Sequence, residues 1–256
     1  MKMSVVIIAR NEAHIIGQTL QSLVGLTDDI VVVDTGSTDG TQEICNKAGT
    51  RVLEIEWSGY GPSKNKGIGL AKYDWILSLD ADESIDEELK QQLSELKQEE
   101  EDKVYTLRFR NFYCNKCIRF GEWGRDKHAR LFNRKRVQWN SDGVHEGLVL
   151  PAGINKITLS GYVIHHTADT PAEYRDKTTG YAKLYARKMV SLGTKTGPFK
   201  KYLSSGFSFI QNYIIRLGFL DGAAGWQIAM NSARCAYLKY AWAEYLNKQP
   251  GVTIND

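Results

Sequence analysis

No stretch of this 256-residue chain reaches the roughly 18 to 20 consecutive apolar residues that a membrane-spanning helix needs. Met1 to Ser4 lead straight into a strand-like run, without a basic and then apolar leader. A cytoplasmic protein is therefore expected, one still able to lie on a membrane surface. Cysteine is scarce: Cys45, Cys114, Cys117 and Cys235 are too few and too scattered for a disulfide scaffold. Cys114 and Cys117 form a lone CxxC with only His128 nearby, which leaves a tetrahedral zinc site short of ligands. Internal repeats and low-complexity tracts are absent. Net charge is small, +3, but unevenly placed. From Pro171 onward twelve Lys or Arg stand against five Asp or Glu, while the rest is slightly acidic. A basic tail suits an anionic partner or a plain solvated face.

What is present is the composition of a folded chain, 42% hydrophobic and 25% charged. Val5 to Ala9, Ile30 to Val33, Val52 to Ile55 and Trp75 to Leu79 are short apolar runs that read as buried strands. Between them lie helical spacings, first at Ile15, Ile16, Leu20, Leu23 and Val24, with Asn11 as a candidate cap. Asp39 with Gln42 has the form of a capping box for a second helix near Thr41, and Lys64 to Leu70 suits a third. Ile85, Leu89, Leu93 and Leu96 mark an amphipathic fourth. Strands alternating with helices at this pace predict an α/β fold with a mostly parallel sheet. Val104 to Phe109 suits a further strand, residues 112 to 150 shorter strands and loops, and the chain turns helical after about Thr170.

In such sheets ligands bind beyond the carboxyl ends of the strands. Polar residues gather there: Arg10, Asn11 and Glu12 after the first strand, Asp34 after the second, Asp80 and Asp82 after the fourth. Residues i and i+2 of an extended segment share a side, so Asp80 and Asp82 are able to face one site. Hard divalent cations prefer such oxygen ligands, with substrate phosphates completing the shell. A D-x-D also suits a solvated turn. Asn11 and Asp34 offer directed hydrogen bonds to a base and ribose.

Four segments in this order carry a resemblance: Ala-Arg-Asn-Glu at 9–12, Val-Asp-Thr-Gly-Ser-Thr-Asp-Gly-Thr at 33–41, Lys-Asn-Lys-Gly at 64–67 and Leu-Asp-Ala-Asp-Glu at 79–83. They resemble family 2 glycosyltransferases over roughly the first 90 residues. Gly-Val-His-Glu-Gly-Leu at 143–148 is similar to the β-1,4-glucosyltransferases of bacterial lipopolysaccharide core. The resemblance implies a GT-A (Rossmann-like) domain over 1–170, a helical extension over 171–256, a UDP-sugar donor, Mg²⁺ or Mn²⁺, and inverting transfer of a hexose, glucose first, to a glycan or glycolipid acceptor. Matching positions imply a nucleotide site at Ala9, Arg10, Asn11, Glu12, Asp34 and Lys64, with Asp80 on the ribose or the metal. Asp82 holds the metal in this reading. The chain departs from the family at Thr35, where many members carry a second Asp.

Inverting transfer needs a base for the acceptor hydroxyl and a charge sink for the departing diphosphate. Glu146 is the candidate base, with Asp142 in reserve. His165 and His166 close a strand-like stretch, and His166 is the candidate further metal ligand. Arg108, Arg110, Arg125 and Arg130 suit contacts to an anionic acceptor or a plain surface. The tail, about Lys200 to Lys248, interleaves aromatic and basic residues in helices. That pattern suits an anionic membrane surface, which a lipid-linked acceptor would require; it also suits RNA or core packing. No nucleic-acid partner is expected. Two other functions fit the sheet. A nucleotidyltransferase would open with a Gly-rich loop after the first strand, and Arg10-Asn11-Glu12-Ala13 has no glycine. A non-catalytic nucleotide-sugar or membrane-binding module would bind donor without turnover.

Overall fold

Every residue of the first strand, β1 (Ser4–Ala9), is buried, which accounts for its continuous apolar run. It pairs in parallel with β2 (Ile30–Asp34) on one side, and β2 pairs in parallel with β3 (Arg51–Glu54). On its other side lies β4 (Trp75–Asp80), also parallel. The computed structural model describes residues 1–97, 100–141, 146–194 and 197–248.

Helices α1 (Ile16–Ser22), α2 (Thr41–Lys47) and α3 (Tyr60–Gly69) link these strands. Alternate residues of β1 serve opposite cores. Val5, Ile7 and Ala9 join Ile16, Leu20 and Leu23 from α1 and its C-terminal edge. Val6 joins Val31, Val33 and Ile68 under α3. Next come the short β5 (Glu83–Ile85) and α4 (Glu87–Glu95), whose N-cap Asp86 accepts from the Leu89 N–H at 2.9 Å. Leu89 and Leu93 are fully buried, as the spacing predicts. The strand expected over 104–109 is longer, β6 (Lys103–Tyr113), and is followed by β7 (Lys116–Cys117). Then come β8 (Lys127–Asn133), the β9 (Gln138–Trp139) and β10 (Leu148–Val149) hairpin, β11 (Asn155–Thr158) and β12 (Val163–Ala168).

The sheet order is β3-β2-β1-β4-β8-β6-β12-β5, with β7 and β11 also paired to β6. The half built of β3, β2, β1 and β4 is parallel, and β8 enters antiparallel to both β4 and β6. This is the α/β architecture that the resemblance implies.

The chain forms two compact units: Met1–Phe109 with Lys127–His165, and Arg110–Asp126 with His166–Asp256. The second unit holds α5 (Pro171–Ser191), α6 (Lys200–Phe209), a π-helical turn (Ile210–Ile215) and α7 (Gly222–Lys248). Thr170 caps α5, accepting from the Glu173 N–H at 3.1 Å. Its core gathers Tyr113, Ile118, Ala168, Tyr174 and Ile228. Buried alanines at 182 and 186 on α5 and at 229 and 233 on α7 are small enough to let helices approach.

Two expected caps are absent. Asn11 lies four residues before Ile15, the N-cap of α1, and takes a left-handed φ of 57°. Its Oδ1 accepts from the Thr38 N–H at 2.8 Å, and its own N–H donates to Ser37 Oγ at 2.9 Å. The Asp39–Gln42 capping box does not form either. Gly40 is the N-cap of α2, Asp39 accepts from Ala13 and Thr41, and Gln42 Nε2 donates to Asp34. Long-range bonds between the β1–α1 and β2–α2 loops win over local capping.

Candidate active site

Strand register brings three carboxyl ends level. Asp34 lies beside Ala9, and Asp80 beside Ile8. Asp34 is fully buried. Its Oδ1 accepts from the Gly36 and Ser37 N–H groups and from Gln42 Nε2, at 3.0, 2.9 and 2.9 Å. Burial opposes its charge, but the bonds from Ser37, Gln42 and Gly36 outweigh it and hold the carboxyl below the usual range. Oδ2 is buried without a hydrogen-bond partner among the described residues. Thr35, the departure from the family pattern, is occupied: both its N–H and its hydroxyl donate to the Ala9 carbonyl. Arg10 is exposed and Glu12 half-buried, with the Glu12 N–H donating to Thr41 Oγ1 at 2.8 Å.

Each residue of the Lys-Asn-Lys-Gly segment except Lys66 has a visible task. Gly67 sits where a Cβ would come within 2.4 Å of Val33 and 2.8 Å of Val6, so only glycine lets α3 lie this close to the sheet. Nearly two turns earlier, a Cβ on Gly61 would fall 2.0 Å from the Asn140 carbonyl oxygen. Asn65 clamps β9: its Nδ2 donates to the Trp139 carbonyl at 2.8 Å and its Oδ1 accepts from the Trp139 N–H at 3.1 Å. These contacts carry Lys64 to the sheet edge with no exposed surface.

A buried cation must be paired. Lys64 Nζ lies 2.8 Å from Asp80 Oδ1 and 2.8 Å from Glu146 Oε1, and 4.7 Å from the centre of the Trp139 ring. Burial works against its charge. Asp80 and Glu146 outweigh both burial and the repulsion from Arg130, holding the lysine above its ordinary pKa. Arg130, on β8, reaches Asp80 Oδ2 at 3.1 Å and Glu83 Oε1 at 2.5 Å. Burial also opposes ionisation of Asp80, yet Lys64 and Arg130 keep it far below the usual carboxylate range. Glu83 is nearly fully buried, and its Oε2 accepts from the Asp80 N–H at 3.0 Å. Burial, with a further push from Asp80, lifts it to about 7 against the pull of Arg130. Two cations thus face three carboxylates.

Asp82 lies apart from that lattice. Its Oδ2 is 3.4 Å from His165 Nε2, because β12 runs antiparallel to β5 with His165 opposite Glu83. His166, the histidine that the sequence reading selects, belongs to the second unit and stacks on Phe112 at 5.4 Å. Glu146 is partly exposed; Lys64 holds its Oε1, and its Oε2 is buried without a hydrogen-bond partner among the described residues. Asp142 lies outside the described residues. Arg130 is not a surface charge open to an acceptor but an internal one. Sequence reasoning names Arg130 only for acceptor contact, His165 only beside His166 and Glu83 only within the 79–83 motif; their place in this cluster comes from the pairing of β4, β5, β8 and β12.

A carboxylate and an imidazole 3.4 Å apart form a donor pair that a divalent cation with ligand distances of about 2.1 Å accepts. Asp80, with both oxygens engaged, is bound into the protein instead.

The model of the family described as Glycosyl transferase family 2 matches residues 4–151. The chain belongs to this family and is a glycosyltransferase, which implies a nucleotide-sugar donor and a glycan acceptor. The lipopolysaccharide core biosynthesis glycosyltransferase LpsC of Rhizobium meliloti is 28% identical over 249 residues, covering 93% of this chain and 90% of that one. An uncharacterized glycosyltransferase of Rickettsia felis is 28% identical over 252 residues, 94% and 88% of the two chains. Among solved structures, S. aureus TarS 1-349 in complex with UDP-GlcNAc aligns at TM-score 0.47 and 15% identity, over 100% of this chain and 94% of that one. Glucosyl-3-phosphoglycerate synthase from Mycobacterium tuberculosis, in complex with Mn²⁺, UDP and glucosyl-3-phosphoglycerate, aligns at TM-score 0.30 and 29% identity, over 32% and 34%.

Proposed function

We propose that the chain transfers a hexose, with glucose the first candidate, from a UDP-sugar to a lipopolysaccharide-core or similar cell-envelope glycan, inverting the anomeric centre. One observation carries this reading. The carboxyl ends of β1, β2 and β4 bring Asp34, Asp82 and the Lys64-held Glu146 to one sheet edge, where nucleotide, diphosphate and acceptor have to meet. The likeness to LpsC supports the choice of acceptor.

Each residue then has a task. Asp34 Oδ2 accepts from the nucleoside, and Asn11, held by Thr38, shapes that pocket's rim. Asp82 with His165 would hold Mg²⁺ or Mn²⁺, which would supply positive charge against that of the departing diphosphate. Asp80 fixes Lys64 and Arg130 beneath. Glu146 takes the acceptor hydroxyl's proton on Oε2, since Lys64 occupies Oε1.

Slow donor hydrolysis tests this without a known acceptor. Purified chain is incubated with a panel of nucleotide sugars and Mg²⁺ or Mn²⁺. Consumption of a UDP-hexose is expected, stopped by EDTA and lowered by orders of magnitude in Asp82→Asn. Full activity in EDTA overturns the metal; donor binding without turnover of any sugar returns the reading to a binding module.

A further inference from the structure

Helix α6 and the π-helical turn are inside out. Phe199, Leu203, Phe207, Ile210 and Ile214 recur every three to four residues, and each is between 48 and 73% exposed. The side turned toward the protein carries Ser204, Ser205, Ser208, Gln211 and Asn212, half-buried or, for Asn212, buried. Phe209 and Tyr213 cover the flank, each packed edge-on against Trp226 of α7 at 5.3 Å. A helix bathed in water shows the reverse polarity. At about 200 Å² per large side chain, the five outward residues alone expose on the order of 600 Å², at the upper end of what monomers leave in one patch.

The charge around the face has one sign. From Gly197 to Leu220 there is no Asp or Glu, while Lys200, Lys201 and Arg216 are basic. The acids that follow before Lys248 are both engaged. Asp221 is buried and accepts from the Arg119 and Phe120 N–H groups. Glu244 pairs with Lys201 and Lys248. Lys200 and Arg216 remain exposed at opposite ends of the apolar stripe. A second copy meeting this face through a twofold would set like charge against like. Among the described residues no helix is long and apolar enough to cross a membrane, and α6 with its turn spans only about 24 Å at 1.5 Å per residue.

We propose that the outward face of α6 and the π-helical turn lies in the plane of an anionic bilayer, its aromatic and aliphatic side chains in the acyl boundary and Lys200 and Arg216 at the headgroups. This does not depend on the sugar or the base assigned above.

Flotation of the full chain with phosphatidylcholine vesicles, alone or with about one third phosphatidylglycerol, tests it. The chain is expected to float with the anionic vesicles and to release as salt rises. Leu203→Asn with Phe207→Asn should cut partitioning at least about tenfold, and Lys200→Glu should flatten the salt dependence. Val24→Asn, an exposed apolar residue of the first unit, should leave binding unchanged. Circular dichroism and donor hydrolysis at wild-type levels in the double variant show that its fold survives. No flotation with anionic vesicles at low salt overturns the proposal, as does equal partitioning of the double variant. So does sedimentation of the wild type as a dimer that the double variant dissolves without any vesicle binding.

Discussion

In the proposed mechanism Glu146 is the residue on which the chemistry turns. A base that deprotonates the acceptor acts in the chemical step, so Glu146→Gln should lower turnover by about a hundred- to ten-thousand-fold while UDP affinity stays nearly unchanged. Steady-state kinetics with calorimetric UDP titration separate the two quantities, and Asp142→Asn is the matched control. If Asp142→Asn takes the larger loss, the base is Asp142. Legibility at this scale was uneven. Asp34, Asp82 and Lys64 stand in motifs whose order is visible in the chain. Arg130 was visible only as one of several arginines, because its partners Asp80 and Glu83 come from other strands. The choice between His165 and His166 was harder. Both follow an apolar residue two positions earlier, so alternation favours neither; the pairing of β12 with β5 turns His165 toward Asp82.

Between elements, Asp29 is the knot of the parallel sheet. It stands just before β2 and accepts from Ser4 of β1 at 2.5 Å, from Arg51 of β3 at 2.5 Å and from the Lys72 N–H ahead of β4 at 2.7 Å. Burial opposes its charge, but Ser4, Lys72 and Arg51 prevail, and the carboxyl lies below its ordinary 3.8. A depressed carboxylate adds stability that is fully present above the unfolded value and fades as pH falls through the folded one. Asp29→Asn should therefore cost about 2 kcal/mol at neutral pH, and the gap to wild type should close in acid below about pH 3.8. Urea titrations across pH measure it; a gap that widens in acid contradicts the account. The parallel strands themselves were legible because burial on both faces leaves unbroken apolar runs. The caps were not: Asn11 and Gln42 have good local capping chemistry, but Thr38 of the neighbouring loop claims the first and Asp34 at the end of β2 the second.

For the molecule as a whole, a ligand that binds only the folded state stabilises it by mass action, about 2.7 kcal/mol at a hundredfold excess over Kd. UDP with Mn²⁺ should raise the melting midpoint by roughly 5 to 10 °C on that basis. Asp34→Ala should remove most of the shift while the unliganded midpoint moves less, as read by scanning calorimetry. An unchanged shift takes Asp34 out of the nucleotide site. The position of Lys64 adds a thermodynamic consequence. Its one positive charge is divided between Asp80 and Glu146, which in the proposed reading serve the donor and the acceptor side respectively. Whatever charge the donor brings to the first carboxylate alters the share left for the second. On that reading the two substrates are energetically linked through a single ammonium group, and such linkage is reciprocal: whatever factor donor binding applies to acceptor affinity, acceptor binding returns to the donor.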